Sequence, residues 1–210
     1  MPHLLYVESS PRKTRSASIE VSNAFLKAWQ ASHPGSTVDV LDVWSTPLPE
    51  FDGEALAGKY AGLAGEALTP AQNAAWDQLR ALAGRFQRAD RLVISAPMWN
   101  YAIPYKLKHL IDLISQKDLL FTFDERGLNG MLTSCKALLV LARGVAFGNS
   151  EGAFDDSWDD QQRYLRLWLQ MVGVTQVETV LVEKTLYGPE ADTASRAQAA
   201  AAAMGLAAGF

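Results

Sequence analysis

The sequence has little cysteine, little net charge and no long apolar run, and each of these absences excludes a class of protein. A single cysteine, Cys135, excludes an internal disulfide framework and fits a reducing compartment. We expect it to be a small buried residue at a strand entrance rather than a nucleophile. The formal net charge of −4 argues against a nucleic-acid-binding surface, which needs a basic field. No apolar run approaches the ~20 residues of a membrane span, and the first residues lack a signal-peptide pattern. These absences predict a cytoplasmic protein without membrane or nucleic-acid partners.

What remains is a globular composition, with 49% hydrophobic and 20% charged residues in 210. Five apolar runs, near residues 3–8, 37–43, 91–96, 136–142 and 176–182, are each followed by a helical pattern. This alternation predicts an α/β fold, with a five-stranded parallel sheet, helices on both faces and one domain over 1–210. A phosphate-binding loop after the first strand suits the strand order 2-1-3-4-5, whose ligand lies at the switch point between the first and third strands.

The loop after the first strand carries neither GxGxxG nor a P-loop. Ser9 to Ser18 instead holds four serines, one threonine and three cations before a helix begins. The amides of a helix N-terminus, with the hydroxyls of Ser10, Ser16 and Ser18, suit a phosphate monoester. A serine acting only as an N-cap is the alternative, although one cap accounts for one serine and leaves the others.

The segment Leu92 to Leu113 reads as a buried strand, an aromatic loop and an amphipathic helix. Its loop, Met98 to Tyr101, follows the third strand and can lay a flat face against a flat ligand, or can simply cap the core. Because this loop and the serine loop are expected at one crevice, a ligand with a phosphate at one end and a ring system at the other fits both. Flavin mononucleotide (FMN) has that shape.

Four other segments are candidates for a role in the site, and three of them allow two interpretations. Trp44 to Thr69 is either a lid or subunit contact, or a packed excursion. Phe121 to Phe123 is an aromatic patch that could fold back over the same crevice. Arg143, directly after the fourth strand, either faces an anion or pairs with a nearby acid. The acids at 155, 156, 159 and 160 complement the dipole of the following helix more readily than they build a metal site.

The segments APMWNYAIPYKLKHLIDL, FTFDERGLNGML, ARG and YGPE resemble the FMN-dependent NADH azoreductase family, also described as NADH:quinone oxidoreductases. The resemblance implies a flavodoxin-like fold and a homodimer with two FMN sites at the subunit interface. It also implies NADH or NADPH as reductant and quinones or azo compounds as substrates. The implied cofactor-binding residues are Ser10, Ser16, Ala17, Ser18, Met98, Trp99, Asn100, Tyr101, Ala142, Arg143, Gly144 and Val145. The implied substrate pocket contains Phe121, Phe123 and Trp168, the last from the partner subunit.

The chain departs from the family pattern at two positions of the fourth-strand loop. Ala142 stands where the family usually has serine, and Val145 stands where it has a second glycine. The expected activity is two-electron ping-pong hydride transfer, in which the cofactor supplies the chemistry and no protein acid–base residue or metal is required. The alternatives are an electron-transfer flavodoxin without small-molecule turnover and, further off, a phosphoester hydrolase that uses the serine loop.

Overall fold

The computed structural model describes residues 1–125, 127–148 and 152–210. Residue 126, inside the FTFDERGLNGML segment, lies outside the described residues. The strands are β1 (His3–Glu8), β2 (Thr37–Asp42), β3 (Arg91–Pro97), β4 (Phe121–Asp124), β5 (Gly127–Gly130), β6 (Lys136–Ala142) and β7 (Gln176–Val182). The helices are α1 (Ala17–Ser32), α2 (Gly53–Ala64), α3 (Pro70–Gln87), α4 (Tyr105–Ile114), α5 (Asp160–Met171) and α6 (Pro189–Leu206).

The main sheet is the five-stranded parallel sheet that the sequence predicts. Its order is β2-β1-β3-β6-β7, which is 2-1-3-4-5 when only these five strands are numbered. β1 lies between β2 and β3, with Val7 opposite both Leu41 and Ile94. The first and third strands are therefore direct neighbours, and the loops that follow them leave the sheet at the same edge.

Two hydrophobic clusters cover the two faces of this sheet. On one face α1 and α6 pack through side chains such as Phe25 and Trp29. On the other face α3, α4 and α5 pack through side chains such as Phe86 and Leu107. The three inner strands, β1, β3 and β6, are buried on both faces, which explains why they read as continuous apolar runs.

Capping residues in the sequence explain where two of the helices begin. Thr69 caps α3 and forms a capping box with Gln72, and Pro70 occupies the first turn. The helix α2 begins after its N-cap Asp52, whose side chain accepts from the amides of the first turn. Within the described residues, no helix is long and apolar enough to cross a membrane.

The β4–β5 hairpin is an addition that the sequence did not predict. Phe121 pairs with Gly130 at its base. Gly130 lies against the backbone of Gly173, so closely that a Cβ atom there would collide with it. Gly173 precedes the start of β7, and β6 begins shortly after the hairpin ends. The base of the hairpin is therefore at the amino edge of the main sheet.

Candidate active site

The serine loop and the aromatic loop meet at the carboxyl edge of the sheet. The Ser9 amide and hydroxyl both donate to the Ser95 carbonyl, at 3.1 and 2.6 Å. The Trp44 indole N–H donates to the Ser9 carbonyl at 3.0 Å, and the Trp44 ring lies 5.8 Å from that of Trp99. One tryptophan thus touches both loops, and the expected convergence is found.

The serine hydroxyls are buried and close together. Ser10, Ser16 and Ser18 are at most 3% exposed. Ser16 caps α1, its Oγ accepting from the Ile19 amide, and the same atom lies 3.2 Å from the Ser18 Oγ. Ser16 is therefore an N-cap with the buried Ser18 hydroxyl beside it, and the buried Ser10 hydroxyl lies in the same loop. Together with the unpaired first amides of α1, starting at the buried Ala17, they fit a phosphate monoester.

A lysine inside this loop is held by two strand ends. The Lys13 Nζ lies 2.6 Å from a carboxylate oxygen of Glu8, at the end of β1, and 2.6 Å from one of Asp42, at the end of β2. Burial lowers the pKa of Lys13, but the hydrogen bonds that its ammonium donates to Asp42 and Glu8 outweigh burial and raise it. The ammonium offsets one of the two negative charges that would otherwise repel a phosphate. Sequence reasoning missed this role, because the partners lie on different strands.

The aromatic loop contains a tight turn. Trp99 and Ala102 exchange backbone hydrogen bonds of 2.9 and 3.0 Å. Asn100 and Tyr101 between them have φ of 49° and 67°, the pair of left-handed conformations typical of a type I′ turn. Asparagine tolerates this conformation, whereas tyrosine adopts it at some cost. The Met98 amide donates to the Ala142 carbonyl at 2.7 Å, which ties the start of the loop to β6.

Gln161 braces this turn from α5. Its backbone amide donates to the Tyr101 carbonyl at 2.8 Å, and its side-chain Nε2 donates to the Ala96 carbonyl at 3.1 Å. The side chain is fully buried, and its Oε1 has no hydrogen-bond partner among the described residues. Sequence reasoning missed it, but a signal existed, since Gln161 is the polar residue in the apolar stripe that continues with Leu165.

The loop after β6 is braced by Arg143. Its guanidinium pairs with Asp159, the N-cap of α5, and lies 3.2 Å from a carboxylate oxygen of Glu183. The residue is 3% exposed, so Arg143 pairs with acids instead of facing an anion. Gly144 packs so tightly against Leu186 that a Cβ atom would collide with it.

The other two members of this loop stay close to the strand. Ala142 is buried as the last residue of β6, and its carbonyl accepts the Met98 amide. Val145 is half-buried beyond Gly144. The loop is therefore held on both sides, by the aromatic loop through Ala142 and by the segment after β7 through Gly144.

The expectation for Trp168 is wrong. Its side chain is 4% exposed, its indole N–H donates to the Ser115 Oγ at 2.9 Å, and its ring meets Phe86 edge-on at 6.1 Å. Trp168 belongs to the core beneath α3 and α4 and is not available to a substrate pocket. Its place on the apolar stripe of α5 is the physical reason.

The idea that the Phe121 to Phe123 patch folds back over the crevice of its own chain is also corrected. Phe121 sits at the hairpin base, on the amino edge of the sheet, whereas the crevice lies on the carboxyl edge. Phe123, two residues further, is 65% exposed. Neither ring has a described contact with the serine loop or the aromatic loop.

The remaining predictions concern an acidic cluster and a cysteine. Asp159 accepts from the Gln162 amide and Asp155 from the Ser157 amide, so these acids cap helices as expected. In the described ranges, no group of three or more His, Cys, Asp or Glu is arranged to hold a metal ion. Cys135 is buried, and burial raises the pKa of its thiol to about 12, so it is not a ready nucleophile.

Comparison with known proteins identifies the relatives of the chain. A family model for the flavodoxin-like fold matches residues 2–206. The chain is 50% identical over 190 residues to FMN-dependent NADH:quinone oxidoreductase 9 of Burkholderia lata, covering 90% of each protein. It is 45% identical over 206 residues to FMN-dependent NADH:quinone oxidoreductase 2 of Pseudomonas syringae pv. tomato, covering 98% of each. An azoreductase structure from Bacillus anthracis superposes with a TM-score of 0.89 at 25% identity, over all of both chains. The chain therefore belongs to the FMN-dependent NADH:quinone oxidoreductase family, which includes the azoreductases.

Proposed function

We propose that this enzyme uses FMN to transfer two electrons from NADH or NADPH to quinones and azo compounds in a ping-pong sequence. One observation supports this proposal above the others. The buried serine hydroxyls Ser10, Ser16 and Ser18, which we call the serine cradle, lie in a loop that meets the Trp99–Ala102 turn at one edge of the sheet. Bound FMN supplies a flat two-electron hydride acceptor and donor. The protein supplies binding, orientation and shielding.

The residues of the crevice divide these tasks. Ser10, Ser16 and Ser18 would hold the phosphate, with the dipole of α1 behind them. Trp99 and Tyr101 would flank the ring system, and the amide of Asn100 and the loop backbone would meet its edge. In a ping-pong sequence the oxidised nicotinamide would leave this crevice before the acceptor enters it. A planar acceptor then lies between walls that are themselves flat and apolar.

We also propose that the active form is a homodimer in the cytoplasm. The hairpin exposes Phe123 by 65% and Leu128 by 44%, and Met131 beside it is 43% exposed. Such an apolar surface is typical of a contact with another chain. A second copy would cover it, and the hairpin would then reach the crevice of the partner instead of its own.

The test is anaerobic reduction of the FMN-loaded protein. NADH or NADPH should bleach the flavin absorbance at about 450 nm, and a quinone should restore it. Steady-state rates at several quinone concentrations should give parallel double-reciprocal lines. Tight FMN binding without oxidation of either nicotinamide would instead favour the electron-transfer carrier. A protein that fails to take up added FMN would contradict both.

A further inference from the structure

Resting on this proposed function, we propose that Tyr101, Phe154 and Trp158 form an aromatic shelf that binds the planar ring of the electron acceptor. The shelf favours uncharged or cationic acceptors over anionic ones. None of its outer residues belongs to the serine cradle or to the loop after β6. Tyr101 is the residue that the shelf shares with the cofactor crevice, whereas Phe154 and Trp158 would contact the acceptor without holding the cofactor.

The three rings form a continuous surface. Tyr101 and Trp158 have ring centroids 5.6 Å apart and meet edge to face at 81°. Phe154 follows at 6.0 Å from Trp158, and Phe147 lies 6.0 Å beyond it. Tyr101, Trp158 and Phe154 are 44%, 51% and 37% exposed. Aromatic side chains normally bury most of their surface, so a contiguous exposed set marks a binding surface.

The inner end of the shelf belongs to the crevice. Tyr101 lies in the turn beside Trp99, and its carbonyl is fixed by the Gln161 amide at 2.8 Å. Trp158 ends a short 3-10 helix, Asp156–Trp158, and is followed directly by Asp159. Because Asp159 pairs with the buried Arg143, the backbone that carries Trp158 is anchored to the end of β6. A ring resting on Trp158 would therefore lie beside the aromatic loop.

The base of the shelf, formed by Phe147 and Phe154, is also fixed by contacts with the protein. The Arg143 guanidinium lies over the Phe147 ring at 4.9 Å. The Phe154 amide donates to the Ala146 carbonyl at 2.8 Å, and the Gly148 amide donates to the Phe154 carbonyl at 3.0 Å. A buried cation, an aromatic ring and two backbone hydrogen bonds thus fix the shelf before any ligand arrives. Pre-organised rings bind with little loss of conformational entropy.

The charges around the shelf are mainly negative. Asp159 is neutralised by Arg143, and Asp160 pairs with Arg163. Asp155 and Asp156 have no ion-pair partner among the described residues. Hydrogen bonds from Ser157 lower the pKa of Asp155, so that carboxylate is charged at neutral pH. Asp155 and Asp156 therefore form an acidic rim of the shelf. This rim repels a sulfonated or carboxylated acceptor and leaves an uncharged quinone unaffected.

The first experiment compares Trp158 variants of the FMN-loaded protein, with menadione as acceptor. Trp158→Ala should raise the KM for menadione about tenfold, the loss expected for one aromatic contact. Trp158→Phe keeps a ring and should stay near the wild type. The rate of flavin reduction by NADH in a stopped-flow apparatus, the FMN affinity and the subunit state should be unchanged in both variants.

The second experiment tests the charge of the rim. Asp156→Asn should raise kcat/KM for a sulfonated naphthoquinone about threefold relative to menadione, as expected for removing one nearby exposed charge. The control, Asp77→Asn on α3, removes an exposed carboxylate that pairs with Arg80 away from the shelf and should not change that ratio. The preference should also weaken at high salt, because ions screen exposed charges.

The outcomes separate the shelf from the proposed function. If the wild type reduces menadione and Trp158→Ala has the same KM, the shelf is refuted while the function stands. If Trp158→Ala separates the subunits or weakens FMN binding, Trp158 is a contact or a structural residue, and the shelf is again refuted. If the wild type neither takes up FMN nor oxidises NADH, the function itself is refuted.

Discussion

Replacing Gln161 by glutamate should loosen the aromatic loop, and the loss should depend on pH. The wild-type Nε2 donates to the buried Ala96 carbonyl at 3.1 Å, whereas Oε1 has no partner among the described residues. A carboxylate removes the donor and places a charge against that carbonyl. Losing a buried hydrogen bond costs about 0.5–1.5 kcal/mol, and an unpaired buried charge adds to it. We expect Gln161→Glu to lose about 2–4 kcal/mol of unfolding free energy at pH 8.

The pH dependence follows from the protonated form of the new side chain. Burial raises the folded-state pKa of a carboxyl above the ~4.3 of an unfolded glutamate. Below that raised pKa the group is neutral, and its O–H can donate to the Ala96 carbonyl as the amide did. The destabilisation relative to wild type should therefore be small near pH 5 and grow as the pH rises through the folded-state pKa.

Gln161→Leu is the matched control. It removes the donor to Ala96, but it also removes the unpaired Oε1 acceptor, so the two effects oppose each other. We expect a loss of less than about 1.5 kcal/mol, with no dependence on pH. Urea unfolding of all three proteins at pH 5 and pH 8, with FMN titrations at both values, gives the comparison. A Gln161→Glu protein as stable as wild type at pH 8 would refute the conclusion that the Gln161 side chain stabilises the aromatic loop.

Three further predictions concern other contacts. Lys13→Met leaves two carboxylates unneutralised beside the phosphate cradle, so the affinity for FMN should fall about tenfold while riboflavin binding is unchanged, as fluorescence titration can measure. Hydrogen bonds from Arg85 lower the pKa of Asp39, so wild-type stability should fall as the pH drops below about 4, and Asp39→Asn should reduce that dependence in acid-range urea titrations. Trp168→Phe loses the hydrogen bond to Ser115 and some packing; it should cost about 1–3 kcal/mol in chemical unfolding without changing the KM for a quinone.

The sheet order could be predicted because chain order and periodicity constrain it strongly. Five buried strands joined through helices must run parallel, and right-handed connections leave few arrangements. The crevice followed from that order, since the loops after β1 and β3 leave the sheet side by side. Ser16 and Trp99 could thus be assigned to one site although they are distant in the chain.

The hairpin could not be predicted because its strands carry little signal. β4 and β5 have four residues each, and β5 reads Gly-Leu-Asn-Gly. Neither strand shows a sustained alternation, and glycine is unfavourable within a strand. The hairpin is held instead by the close approach of Gly130 to Gly173, a contact between segments that are separate in the sequence.

Trp168 illustrates a different error. Its spacing with Leu165 and Leu169 already indicates the core-facing stripe of α5, which is where its side chain lies. The resemblance to the family instead predicted that Trp168 lines the substrate pocket, although its spacing indicated the core. Periodicity reports the geometry of this chain directly, whereas a role carried over from relatives assumes that the same side chain points the same way.

The site contains two kinds of residue, and only one kind is visible in local sequence. Groups that would face the ligand lie in loops directly after strands, where the fold places every such loop. The braces Lys13, Gln161 and Arg143 join elements that are remote along the chain. Gln161 and Arg143 are nevertheless polar residues at positions where the pattern calls for apolar ones. Because a buried polar group costs free energy unless it is bonded, such a position next to a ligand crevice indicates a partner that the fold must supply.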